Sequence, residues 1–169
     1  MIVFETERLI LRRLSTDDAE FILGLLNEPS FLRYIGDKGV RNLDDARHYI
    51  LTGPVESYER NGFGLYLVEL KEARLPIGMC GLVKRDGLTD ADVGFAFLPA
   101  YWSKGYAVES ASAVLAYARE VLALKRILGI TLPDNQSSIK VLKKIGLSFE
   151  QMVSLSEDRE NLMLFAANF

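Results

Sequence analysis

Short apolar runs in this chain are joined in two different ways, and the mixture leaves few folds open. Residues 63–70 and 76–84 are separated only by the charged turn Lys71-Glu72-Ala73-Arg74, which reads as an antiparallel hairpin. Residues 92–98 and 126–132 are separated instead by a helical stretch, 105–122, with Ala111, Leu115, Ala118 and Leu122 along one stripe. Parallel neighbours need such a crossover, whereas antiparallel ones need only a turn. Hairpins and a crossover in one chain predict an α/β fold on a mixed sheet.

The remaining segments extend that order. Residues 8–14 read as a strand. Ser15 then caps a helix, with Asp18 three residues on and Phe21, Ile22, Leu25 and Leu26 at helical spacing. Pro29 ends this helix or lies just beyond it, and 31–42 reads as loop. Asn42 caps a second helix, which Gly53-Pro54 should kink or break before it resumes to Arg60. Residues 135–145 form a last helix, stopped by Gly146, and strands near 147–155 and 161–167 close the chain. The predicted order is β-α-α-β-β-β-α-β-α-β-β, with seven strands.

Composition sets the class. A chain of 169 residues, 49% hydrophobic and 25% charged, is a globular protein long enough to bury a core without a disulfide or metal staple. No linker or repeat divides it, so residues 1–169 read as one domain. No apolar run approaches ~18 residues, and the opening lacks the order of an export signal, so the expectation is a cytoplasmic protein without a membrane partner. Cys80 and His48 are the sole cysteine and histidine, a poor start for a metal site. Cys80 sits in an apolar run, where cysteine is core. A net charge of −3 argues against nucleic acid. Residues 101–147 carry seven Lys/Arg against three Asp/Glu, which suggests a local anion site.

Two stretches carry chemistry. Pro99-Ala100-Tyr101-Trp102-Ser103-Lys104-Gly105-Tyr106-Ala107 leaves a strand and enters a helix. Helix starts present backbone N–H groups without intrahelical partners, so such a turn can hold a phosphate. Gly105 permits close approach and Lys104 adds charge; the plain alternative is a connection capped by Ser103. The second stretch opens the last helix, where Asn135 and Ser138 lie in the first turn, just beyond a strand end, and Lys140, Lys143 and Lys144 share a polar face. The alternative there is a capped helix with a solvated face.

Together these stretches resemble the GCN5-related N-acetyltransferases (GNAT), in the branch that contains the ribosomal-protein acetyltransferases RimJ and RimL. Thr6-Glu7-Arg8-Leu9-Ile10-Leu11-Arg12 is similar to that branch's first strand, and Val93-Gly94-Phe95 with Pro99 to Glu109 to its cofactor motif. Asn135-x-x-Ser138, closing in Lys144-Ile145-Gly146-Leu147, resembles its second motif.

The resemblance implies a mostly antiparallel sheet of about seven strands, flanked by helices on both faces, whose fourth and fifth strands splay apart. It implies acetyl-CoA as donor, CoA as product, and a primary amine as acceptor, attacked directly in a ternary complex. Phe95, Ala96, Phe97 and Leu98 would pair with pantetheine. Ser103, Lys104, Gly105, Tyr106, Ala107 and Val108 would bind the pyrophosphate, Asn135 would contact the pantetheine, and Ser138 and Lys143 would add cofactor contacts. Ser138 is the candidate acid for the thiolate, because the position where many relatives carry Tyr is Leu142. Asp92 and Glu69 are the candidate bases acting through water. Trp102 and Ser103 depart from the commoner Gln or Arg and Gly. The acceptor, a protein N-terminus or a small molecule such as an amino sugar, polyamine or amino acid, would meet the variable parts, with Arg33, Tyr34, Tyr58 and Glu157 as candidates. The alternatives are a non-catalytic CoA-binding sensor of the same fold and a protein–protein scaffold. Both monomer and homodimer remain open.

Overall fold

The computed structural model describes residues 1–159 and 161–169. Its strands are β1 (Ile2–Glu5), β2 (Leu9–Arg13), β3 (Leu65–Leu70), β4 (Leu75–Val83), β5 (Asp92–Phe97), β6 (Arg126–Thr131), β7 (Ser148–Val153) and β8 (Leu162–Asn168). Its helices are α1 (Ala19–Leu26), α2 (Pro29–Tyr34), α3 (Leu43–Ile50), α4 (Glu56–Asn61), α5 (Tyr106–Glu120) and α6 (Gln136–Lys144). The eight strands form one sheet in the order β1-β2-β3-β4-β5-β6-β8-β7. Every neighbouring pair is antiparallel except β5 and β6, which the α5 crossover makes parallel.

Alternation along the central strands builds a core on each face. Tyr66 and Val68 of β3 pack in one cluster with Ala111, Val114, Leu115 and Ala118 of α5 and Leu142 of α6. Leu67, between them, packs in the other with Ile22, Leu25 and Leu26 of α1 and Ala46 and Ile50 of α3. That is the period-two signature of a sheet covered on both sides. Cys80 of β4 is fully buried in the α5-side core, and burial pushes its thiol up to about 12.

The predicted caps form. The Ser15 hydroxyl accepts from Asp17 N at 3.3 Å, and Ser15 N donates to the Asp18 carboxylate at 2.9 Å. A 3-10 turn at Thr16–Asp18 follows that cap and leads into α1. Asn42 caps α3 through Asp45 N at 2.8 Å.

Three elements differ from expectation. β1 is an eighth, outermost strand that precedes the predicted first one; Phe4 anchors it with ring centroids 6.3 Å from Tyr66 and 5.3 Å from Tyr117. Pro29 opens α2, because its missing N–H costs nothing in a first helical turn. Gly53-Pro54 does not break the second helical stretch: the chain widens into a π-type turn over Leu51–Val55 and continues into α4. Among the described residues, no helix is long and apolar enough to cross a membrane.

Candidate active site

β5 and β6 meet only at the first residue of β5 and the third of β6. Asp92 pairs with Leu128, and Leu128 N donates to Ala91 O at 2.9 Å; beyond that point no register continues. These are the strands expected to splay, moved up one number by β1. The cleft they open has a volume of about 1040 Å³ and runs from the start of α5 to the helices covering the opposite face.

Strand parity decides which backbone groups face this cleft. Leu98 N donates to Ile77 O of β4 at 3.0 Å, so alternate residues turn their N–H and C=O toward β4. Ala96 and Leu98 are thereby committed to β4, while Phe95 and Phe97 direct theirs into the gap. The Phe97 carbonyl accepts from the Trp102 indole at 2.9 Å, which gives the departing Trp102 a role in holding the turn.

The turn after β5 ends in a helix without a side-chain cap. Gly105 occupies the cap position of α5 at φ +83°, and the first intrahelical bond is from Glu109 N to Gly105 O at 3.0 Å. The N–H groups of Tyr106, Ala107 and Val108 therefore have no helical partner, and the helix dipole adds positive potential there. Ser103 does not cap. It holds a left-handed φ of +60°, a conformation that favours glycine.

Arg8 braces this turn from outside the cleft lining. It donates to the Glu109 carboxylate at 2.6 Å and to Lys104 O at 3.0 Å, and lies 4.4 Å above the Tyr106 ring. Glu109 also accepts from the Thr6 hydroxyl at 2.5 Å and from Arg8 N at 2.9 Å. Sequence reasoning placed Arg8 only in a strand motif. Its pairing spans 101 residues, so no local pattern announces it.

Across the gap, the Asn135 side chain caps α6 by accepting from Ser138 N at 3.2 Å. Asn135 thus does the capping, and the Ser138 hydroxyl, which lines the cleft, makes no hydrogen bond among the described residues. Helix phase selects the lysines: Lys140 and Lys144 line the cleft, and Lys143 does not. Leu142 is buried against Gly129, so hydrocarbon fills the position where many relatives place a Tyr.

At the other end lies Asp92, only 1% exposed, with Arg85 Nε at 3.0 and 3.2 Å from its two oxygens. Burial raises its pKa to about 6; Arg85 and Arg159 oppose the rise without cancelling it. Tyr49 of α3 lines the same end, and burial pushes its hydroxyl up to about 12, so it stays neutral there.

The structure does not bring several of the other expected residues to the cleft. Glu69 is buried elsewhere on β3, bonded to Arg12 at 3.2 Å and Arg74 at 3.0 Å. Tyr58 points into the core, where its hydroxyl accepts from Leu14 N at 3.1 Å and donates to Leu65 O. Arg33 pairs with Asp134 at 3.4 Å on the surface, while its neighbour Tyr34 does line the cleft. Glu157 is exposed in the β7–β8 loop, and Arg159 of that loop reaches the cleft instead. Lys104 and Leu98 are also absent from the lining.

Comparison with known proteins supplies the family. An acetyltransferase (GNAT) domain model matches residues 8–148, most of the chain. The chain belongs to the GNAT acetyltransferase family. It is 31% identical over 150 residues to an uncharacterized N-acetyltransferase of Bacillus subtilis, YoaA, covering 88% of this chain and 84% of that protein. A solved GNAT-family acetyltransferase from Bacillus anthracis is 26% identical, with a TM-score of 0.80 over 99% of this chain and 98% of the other. The fold is also that of RimL, a ribosomal L7/L12 N-acetyltransferase solved with coenzyme A, at 17% identity and a TM-score of 0.84 over 100% and 98% of the two chains. That likeness of fold is consistent with the RimJ/RimL-like branch. The eight-stranded, mostly antiparallel sheet with helices on both faces is a GNAT fold.

Proposed function

We propose that residues 1–169 form a single acetyl-CoA-binding domain that moves an acetyl group to a primary amine in a ternary complex. The observation that carries the reading is the run of open backbone groups along one side of the cleft. Phe95 and the N–H of Phe97, whose carbonyl Trp102 already holds, offer strand-like pairing to an extended arm with amides, and that path leads to the uncapped start of α5 beside Arg8. A pantetheine arm ending in a pyrophosphate has this sequence of needs. Lys140 and Lys144 add positive charge across the gap.

Acetyl-CoA bound there supplies a thioester, which a neutral amine attacks with departure of the thiolate. A free amine of pKa near ~10 is mostly protonated at neutral pH, so its proton must be taken. Asp92 stands where β5 and β6 part, with a pKa raised to about 6, which makes it a stronger base than an ordinary carboxylate. It accepts the proton through water, the role Glu69 is too distant to fill. The Ser138 hydroxyl serves as donor to the leaving sulfur, and a cleft-facing N–H on β5 is the donor to developing oxygen charge. Asn135 fixes the turn that presents Ser138.

The test is thermal unfolding with and without acetyl-CoA, with NADH as control, followed by thiol release on adding amines. At ~100 times its dissociation constant a ligand adds about 2.7 kcal/mol, a shift of roughly 5–10 °C for a chain this size. We expect that shift with acetyl-CoA alone, and amine-dependent thiol release. No shift at millimolar acetyl-CoA removes the enzyme reading; a shift with no turnover on any amine favours a CoA-binding sensor.

A further inference from the structure

The acceptor end of the cleft has a charge that its own ion pairing does not balance. Three cations from separate segments line it: Lys38 in the loop after α2, Arg85 after β4, and Arg159 in the β7–β8 loop. Arg85 and Arg159 act on one carboxylate, Asp92, to which Arg85 is already committed through Nε, and Lys38 stands near the two arginines.

The cations feel one another. The pKa of Arg159 is lowered by burial and then by Arg85, with Asp92 acting in the opposite direction. Lys38 is exposed overall, yet protein crowds its ammonium; desolvation lowers its pKa, and Arg85 and Arg159 lower it further. Partly desolvated like charges brought together in a cleft focus a positive potential. The other charges lining this half do not offset it. Arg60 pairs with Glu56 at 2.8 Å on the rim, and Glu28 stands at the α1–α2 junction. Lys84 adds a further cation, donating to Leu88 O at 2.6 Å. Tyr49 contributes an uncharged hydroxyl.

We infer that the amine acceptor carries an anionic group, a carboxylate or a phosphate, which Arg159 and Lys38 receive while Asp92 faces the amine. This rests on the reading of the cleft as a transferase site and narrows its substrate class. A guanidinium forms paired hydrogen bonds to either anion, so the two share one recognition chemistry. A polyamine brings only positive charge to this pocket and is disfavoured by the same field.

Matched amines test the inference. The protein bound to CoA is titrated calorimetrically with amino acids and their amides, with phosphoethanolamine and ethanolamine, and with spermidine; thiol release from acetyl-CoA is followed on the same set. We expect the anionic member of the best pair to bind and react at least about tenfold better, a difference of about 1.4 kcal/mol. The amino acid and phosphoethanolamine arms separate carboxylate from phosphate. Arg159→Gln and Lys38→Gln should each raise KM for that amine by a similar factor with little change in kcat, and leave the acetyl-CoA dissociation constant as it was. A protein that binds acetyl-CoA but prefers the amide, ethanolamine or spermidine overturns the inference and leaves the transferase reading standing. So does an unchanged KM in both variants. Failure to bind acetyl-CoA at all removes both.

Discussion

Replacing Asp92 by Asn isolates the balance of forces at the acceptor end. Two effects compete on this carboxylate. Burial at 1% exposure disfavours its charge, and Arg85 at 3.0 Å favours it. Burial wins, lifting the pKa from 3.8 to about 6. The folded protein then holds this proton more tightly than the unfolded chain does. Between about pH 4 and pH 6 folding takes up a proton, so the contribution to stability falls as pH rises through that window. A shift of about two units corresponds to a destabilising cost of about 3 kcal/mol, absent below pH 4 and fully present above pH 6. Asn cannot titrate and resembles the protonated acid in shape, while the other carboxylates titrate in both proteins and cancel. The Asp92→Asn protein should therefore match the parent near pH 4 and gain on it by roughly 6–12 °C in unfolding temperature by pH 7. Unfolding scans at fixed ionic strength over that range provide the measurement. A difference that stays flat with pH, or a variant that loses ground as pH rises, would show that the arginines outweigh burial, and the argument for Asp92 as a strengthened base would fail. In the parent enzyme kcat/KM should rise on an acid limb near pH 6, and the variant should lack that limb.

Gly105→Ala places a Cβ 3.3 Å from the Arg8 guanidinium at a left-handed φ of +83°; it should cost about 1 kcal/mol in stability and weaken acetyl-CoA binding several-fold, read by calorimetry. Arg8→Ala removes a half-exposed ion pair with Glu109, so stability should fall by less than about 1 kcal/mol. Its acetyl-CoA dissociation constant should nevertheless rise about tenfold at low salt, and the gap should narrow as salt screens the lost charge. Tyr58→Phe strands the buried Leu14 N and the half-buried Leu65 O, so urea unfolding should show a loss of about 1–3 kcal/mol, with acetyl-CoA binding and KM for the amine unchanged.

What was legible in the sequence was whatever short-range chemistry determines. The β3–β4 hairpin, the β5-α5-β6 crossover and the caps at Ser15 and Asn42 each follow from a few adjacent residues, whereas the cap of α6 fell to Asn135 and not to Ser138. β1 was not legible, because four residues at a sheet edge carry no period of their own and are held by Phe4 against Tyr66 and Tyr117. Pro29 was ambiguous because a proline just past one helix and a proline opening the next look alike in sequence. At the site, strand parity could have separated Phe95 and Phe97 from Ala96 and Leu98 in advance, since the alternation is fixed once the β4–β5 register is known. The choice of Lys140 and Lys144 over Lys143 needed the phase of α6. The approach of Arg85 and Arg159 to Asp92, with Lys38 near the two arginines, needed three loops to fold.

The two ends of the cleft are therefore written in different materials. The donor end is made mainly of backbone: unpaired strand groups and an uncapped helix start, whose geometry survives a change of side chain. Ser103 shows this directly, keeping a left-handed φ where the family commonly has glycine. The acceptor end is made of side chains on separate loops, so single substitutions alter its charge without disturbing the donor site. A family likeness that spans residues 8–148 accordingly speaks for the first end and leaves the second to be read from this chain alone. Exchanging Lys38 and Arg159 for acids should then redirect acceptor preference toward cationic amines while acetyl-CoA still binds, because no backbone group of Phe95, Phe97 or the start of α5 depends on either residue.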